Sequence, residues 1–104
     1  MLIRITKLRN FKEDRRTMNL DKLEKLALLV LAELPKTTTS LKYLPGNYAK
    51  FNNLMAVSNE TLPEYSELFN SSSQNSPDMN GYKAISVVEH LLKIIKLEKE
   101  TNSK

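Results

Sequence analysis

NLDKLEKLALLVLAELP, residues 19–35, decides the fold. Leu20, Leu23, Ala27, Val30, Leu31 and Leu34 recur mostly at three- and four-residue steps, which is the period of one helix face. Asn19 reads as an N-cap, and Asp21 and Glu24 fall where the positive end of a helix dipole favours acids. Pro35 lacks the amide needed to continue, so it ends the helix. About 15 residues give a rod about 22 Å long. Leu26, Leu28 and Leu29 widen the apolar face beyond a stripe, which predicts a central helix touched on several sides. A bundle this small is not expected to cover Leu28, Leu29 and Leu31 together. Those three form a candidate apolar interface, to be hidden by a homodimer or another protein partner.

Upstream lies MLIRITKLRNFKEDRR, which holds all four arginines of the chain. Arg4, Lys7, Arg9, Lys12, Arg15 and Arg16 outnumber Glu13 and Asp14 by the whole net charge of +4. From Thr17 onward, ten lysines are matched by ten acids. Arginine's planar fork suits phosphate and carboxylate better than lysine's point charge does. The six cations are therefore the candidate contacts to a nucleic-acid phosphate backbone or to an acidic protein surface. Residues 1–12 are also acid-free, arginine-bearing and amphipathic, as a mitochondrial presequence is. The plain alternative is a solvated tail, or an extension upstream of a start at Met18. Met1, Ile5, Leu8 and Phe11 follow a helical spacing, so residues 1–18 are read as a basic N-terminal segment, either flexible or a short helix, with the helix preferred.

Downstream, Lys36 to Ser40 is a polar connection, followed by one turn at Leu41–Leu44. Pro45-Gly46 marks a turn, and Asn47 is a candidate cap for a helix to about Val57, with Tyr48, Phe51, Leu54 and Met55 inward. Thr61-Leu62-Pro63-Glu64 has capping-box spacing, opening a short helix with Leu62, Tyr65, Leu68 and Phe69 on its core side. Residues 70–78, NSSSQNSPD, carry almost no apolar side chain to offset the entropy of ordering, and read as a mobile loop. Ser73-Gln74 and Ser76-Pro77 there match two-residue kinase preferences, a pattern common by chance. A last helix starts between Pro77 and Tyr82 and runs to about Lys99, with Tyr82, Ile85, Val88, Leu91 or Leu92, and Ile95 inward. Residues 101–104 are expected to fray.

The whole predicts an all-α domain over 19–100, a small irregular bundle of about four helices. Leu23, Val30, Tyr48, Phe51, Leu68, Val88 and Leu92 are expected in one core. With no cysteine, disulfides and thiolate chemistry are excluded, which fits an intracellular protein, cytoplasmic by preference. The longest apolar run, Leu26–Ala32, is far short of the roughly 20 residues of a membrane span.

No catalytic set is legible. His90 is the sole histidine, and Ser86 and Lys93 are its helical neighbours, which suits a surface residue better than a base. Glu60, Glu64 and Glu67 pair at helical spacing but among polar neighbours, so they read as a solvated face. No phosphate-cradling glycine loop, metal-ligand spacing or nucleophile elbow occurs. Lys42-Tyr43 and Tyr48-Ala49-Lys50-Phe51 interleave cations with rings as base-stacking surfaces do, yet Tyr48 and Phe51 are also core positions. The expectation is a non-enzymatic helical protein–protein interaction module, a small subunit, adaptor or inhibitor, without cofactor or metal. The alternative is a small nucleic-acid-binding regulator using the arginine cluster.

Overall fold

Between Leu2 and Leu34 the chain has neither glycine nor proline, and in the computed structural model it forms one unbroken helix, α1 (Leu2–Glu33). The structure describes residues 2–74 and 78–102, with side-chain surroundings for 18–73 and 78–101. Asn19 is therefore inside a helix and caps nothing, contrary to the expectation of a start there. An asparagine cap is worth about 1 kcal/mol. Each residue added to an existing helix gains a hydrogen bond without repeating the nucleation cost, so a lone cap signal with no breaker before it does not start a new helix. The helix passes the 18/19 boundary without interruption.

Four helices make an all-α bundle, and the described residues contain no strand, only one isolated antiparallel bridge between Ser40 and Asn80. After α1 come a single 3-10 turn (Leu41–Tyr43), α2 (Pro45–Thr61), a second 3-10 turn (Pro63–Tyr65), α3 (Ser66–Gln74) and α4 (Gly81–Asn102). Three links fix the directions. Asn47 Nδ2 donates to the carbonyl of Glu33 at 3.2 Å, so α2 starts where α1 ends. Gly81 rests on Pro35, and Lys99 at the far end of α4 reaches Asp21 and Glu24. Both α2 and α4 thus run antiparallel to α1. Asn59 donates to Asn70, bringing α3 back along α2. The Tyr65 hydroxyl donates to Glu98 Oε1 at 2.9 Å, joining the α2–α3 connection to the end of α4.

One hydrophobic core fills the space between the helices. Leu20, Leu23, Ala27, Val30 and Leu34 enter it from α1, Phe51, Leu54 and Met55 from α2, Phe69 from α3, and Ala84, Val88, Leu91 and Ile95 from α4. Tyr48, Ile85 and Leu92 are half-buried and pack against that cluster rather than inside it. Two expected core positions are corrected. Leu68 stands at the rim while Phe69, also expected inward, is buried, and Tyr82 is exposed, with Ala84 taking the inward place. A residue one or two positions along turns inward instead because the helix phase is set by docking, and an isolated stripe does not determine that phase to one residue. For Tyr82 the choice also leaves the phenol in water.

The cap assignments of α2 and α3 differ as well. Leu44 is the N-cap of α2, with Pro45 as the first helical residue, and Asn47 spends its amide on α1 instead. Thr61 closes α2, and no side chain caps the turn that follows. The capping box does not form because Thr61 is still the last residue of α2, and Leu62 stands at the start of the turn that follows. Asn70–Gln74, expected in a loop, form the end of α3. There the Ser72 hydroxyl donates to the Leu68 carbonyl at 2.9 Å, which lets a buried serine continue the helix. Residues 75–77, Ser76 among them, lie outside the described set. Asn80, singled out by nothing in the sequence, caps α4 by accepting from Lys83 N at 2.8 Å. α4 continues to Asn102, three residues past the expected end.

Gly81 is the one glycine whose hydrogen matters. A Cβ there would stand 1.9 Å from the Pro35 carbonyl oxygen and 3.1 Å from Thr37 Cγ2. The adjacent backbone is already bonded, Tyr82 N to Thr37 O at 3.3 Å and Leu41 N to Met79 O at 2.7 Å. Gly81→Ala must push α4 off the chain leaving α1, at a cost of about 1–3 kcal/mol. Gly46→Ala, with nothing within 4 Å of the new carbon, should instead be neutral or stabilising by up to about 1 kcal/mol. Urea denaturation midpoints measure both, and equal midpoints for the two variants would contradict the close contact.

Candidate docking surface

α1 is flanked by α2 on one side and α4 on the other. Its inward edge, Leu20 to Leu34, points between them. At 3.6 residues per turn, the residues left facing out are Met18, Lys22, Lys25, Leu28, Leu29, Ala32 and Glu33, each exposed, and Asp21, which is half-exposed. Leu28 and Leu29 keep 50% and 65% of their surface, and Met18 keeps 56%. Leu31, the third residue of the expected apolar interface, is half-buried and packs against the core. The interface candidate therefore divides: two leucines face out and one faces in.

Charged contacts border this face on both sides. Toward α2, Lys50 Nζ lies 2.6 Å from Glu33 Oε2, across the mouth of a shallow groove of about 210 Å³ lined by Leu26, Leu29, Val30 and Asn53. Toward α4, Lys99 Nζ lies 2.5 Å from Asp21 Oδ1 and 2.9 Å from Glu24 Oε1. The hydrogen bonds to Asp21 and then Glu24 raise the Lys99 pKa above the usual 10.5, outweighing its partial desolvation. The acids of α1 are thus engaged by the neighbouring helices. Lys22 and Lys25 point to solvent beside the leucines.

Other sequence candidates resolve as follows. Arg4, Lys7, Arg9, Lys12, Arg15 and Arg16 belong by backbone to the first half of α1, and their side chains lie outside the described set. His90 is exposed and lines an open groove with Leu68, Ser86 and Val87. Glu60, Glu64 and Glu67 are exposed. Among the described residues no three histidines or carboxylates gather as metal ligands would, and no helix is long and apolar enough to cross a membrane. Phe51 is fully buried, whereas Tyr43 is exposed with Lys42 Nζ 5.1 Å from its ring centre, a local cation–π pair. Compared with protein-family models, curated proteins and solved structures, the chain matches none.

The Lys99 bridge makes a pH prediction. A lysine whose pKa is raised by folding stabilises the fold fully below its ordinary value, and that stabilisation disappears as pH rises through the folded-state value. Asp21 and Glu24 are substantially solvated, so the contribution should be under about 1 kcal/mol. Lys99→Met should lose this amount at neutral pH and at pH 9. The gap to the wild type should close only above the usual 10.5. Thermal melts across that range check it, and a gap that closes below pH 9 would assign the effect to another group.

Proposed function

We propose that this protein is a non-enzymatic helical interaction module, a small subunit, adaptor or inhibitor that presents the outer face of α1 to a protein partner. The observation that carries the reading is the pair Leu28 and Leu29, half and two-thirds exposed side by side on the central helix. A neighbouring core with ample leucine makes this placement notable, since each leucine left in water forgoes about 1.5–3 kcal/mol of burial. Two adjacent leucines, flanked by Ala32 and by lysine stems, make an apolar strip with a charged rim, the anatomy of a protein interface. Among its described residues the face holds no nucleophile with an orienting base.

Site-specific photo-crosslinking in the source cell tests it. A crosslinking residue at Leu29 should give a discrete protein adduct. The same residue at Leu97, equally exposed on α4, should not. Adducts of the same pattern from both positions would remove α1 as the docking face.

The arginine cluster supports a second reading, a small nucleic-acid-binding regulator. Six cations within 16 residues would release counterions from a phosphate backbone, and binding to phosphates alone would give little sequence preference. Affinity should then fall steeply with salt. Changing Arg4, Arg9, Arg15 and Arg16 to glutamine should lower that salt slope by about 0.9 for each phosphate no longer neutralised. Absence of binding at low salt would exclude this reading.

A further inference from the structure

The charges on the outer face of α1 are arranged to complement themselves. Reading outward-facing residues along the helix, Lys22 and Lys25 precede the leucine pair, with Asp21 beside them held to Lys99, and Glu33 follows it. Two such faces laid parallel would set Lys25 against Lys25. Laid antiparallel about an axis between residues 28 and 29, they set Leu28 against Leu29 of the second copy and bring Lys25 beside Ala32 and Glu33 of that copy. Ala32 is small and exposed, so the lysine stem can lie over it while the ammonium reaches the carboxylate. Glu33 already lies 2.6 Å from Lys50 Nζ of α2, and half of its side chain stays exposed to meet a second cation.

We infer that the partner of this face is a second copy of the chain, docked antiparallel through α1 with Leu28 and Leu29 at the two-fold axis and Lys25–Glu33 pairs on either side. The inference rests on the reading of α1 as a docking surface and specifies its occupant. An isologous contact repeats each interaction twice, so both ion pairs form together. Two leucines per copy provide much less than the about 800 Å² per partner of a standard interface. The dimer is therefore weak and reversible.

Sedimentation equilibrium of the full chain up to about 1 mM tests this. The apparent mass of the wild type should rise from 11.9 kDa toward twice that value with concentration. Lys25→Glu and Glu33→Lys should each remain at 11.9 kDa, since each opposes like charges in both pairs. An equimolar mixture of the two single variants should associate again, because both cross-pairs become opposite in sign. The double variant should also associate. Leu29→Glu should abolish association with an unchanged melting temperature, as the position is exposed. Circular dichroism and melts of the charge variants confirm that each is folded. A wild type that remains monomeric at the top concentration overturns the inference, as does a mixture that fails to recover association. If the crosslinker at Leu29 captures a different protein while the wild type stays monomeric, the docking face stands and the second copy falls. If neither occurs, both fall.

Discussion

Everything in this bundle closes on the inward edge of α1. Leu20, Leu23, Ala27, Val30 and Leu34 are all buried, and every other helix is placed by what it sets against that edge or against a neighbour already docked there. Ala27 sits in the middle of the row and leaves room for the larger side chains of α2 and α4 to approach. The short links then follow. Because α2 and α4 both begin at the Glu33–Pro35 end, Asn47 meets the last carbonyls of α1, and Gly81 must lie flat on Pro35. An antiparallel arrangement with short connections is what such a small chain can build without long loops, whose closure would add entropy cost.

The same edge explains why leucines remain outside. Leu26–Ala32 is apolar without interruption, and a helix flanked on two sides can bury only part of its circumference. Leu26 and Leu31 turn toward the flanking helices, while Leu28 and Leu29 have none to meet. Their exposure is thus a geometric consequence of using α1 as the centre of a four-helix bundle with one side uncovered. A sequence selected only for monomer stability would lose little by placing charged residues there, which is why the pair directs attention to a partner.

Much of this was legible. Pro35, Pro45 and Pro63 punctuate the chain where the structure does, because a missing amide is a local fact no tertiary context can restore. Phe51, Val88 and Ile95 fell on the core side because long periodic stretches average out single-residue errors. The failures share a cause. Asn19, Asn47 and Thr61 are good caps in isolation, but each cap preference is small beside helix propagation or a tertiary hydrogen bond. Asn70 to Gln74 looked too polar to order, yet Ser72 satisfies its own hydroxyl within the helix. Leu68 and Tyr82 sat one and two residues from the inward Phe69 and Ala84, an ambiguity that only docking removes. In the candidate interface, sequence pattern identified an excess of apolar surface but not which leucine would turn inward.

The division of charges adds a final constraint on what can meet α1. Asp21 and Glu24 are drawn to Lys99, and Glu33 to Lys50, because α4 and α2 present lysines along their facing edges. That leaves the outer face apolar at its centre, with Lys22, Lys25 and a half-exposed Asp21 toward the N-terminus and Glu33 at the other end. A partner of the kind proposed would offer an apolar ridge with acid at one end and base at the other, in reversed order. The chain itself carries that pattern, read from Glu33 back to Lys22, so self-recognition needs no element beyond those already on the helix. The charge order restricts register as well as orientation. A slide of one turn in either direction would uncouple Lys25 from Glu33 and lift each leucine off its counterpart, so the apolar and ionic contacts favour the same alignment.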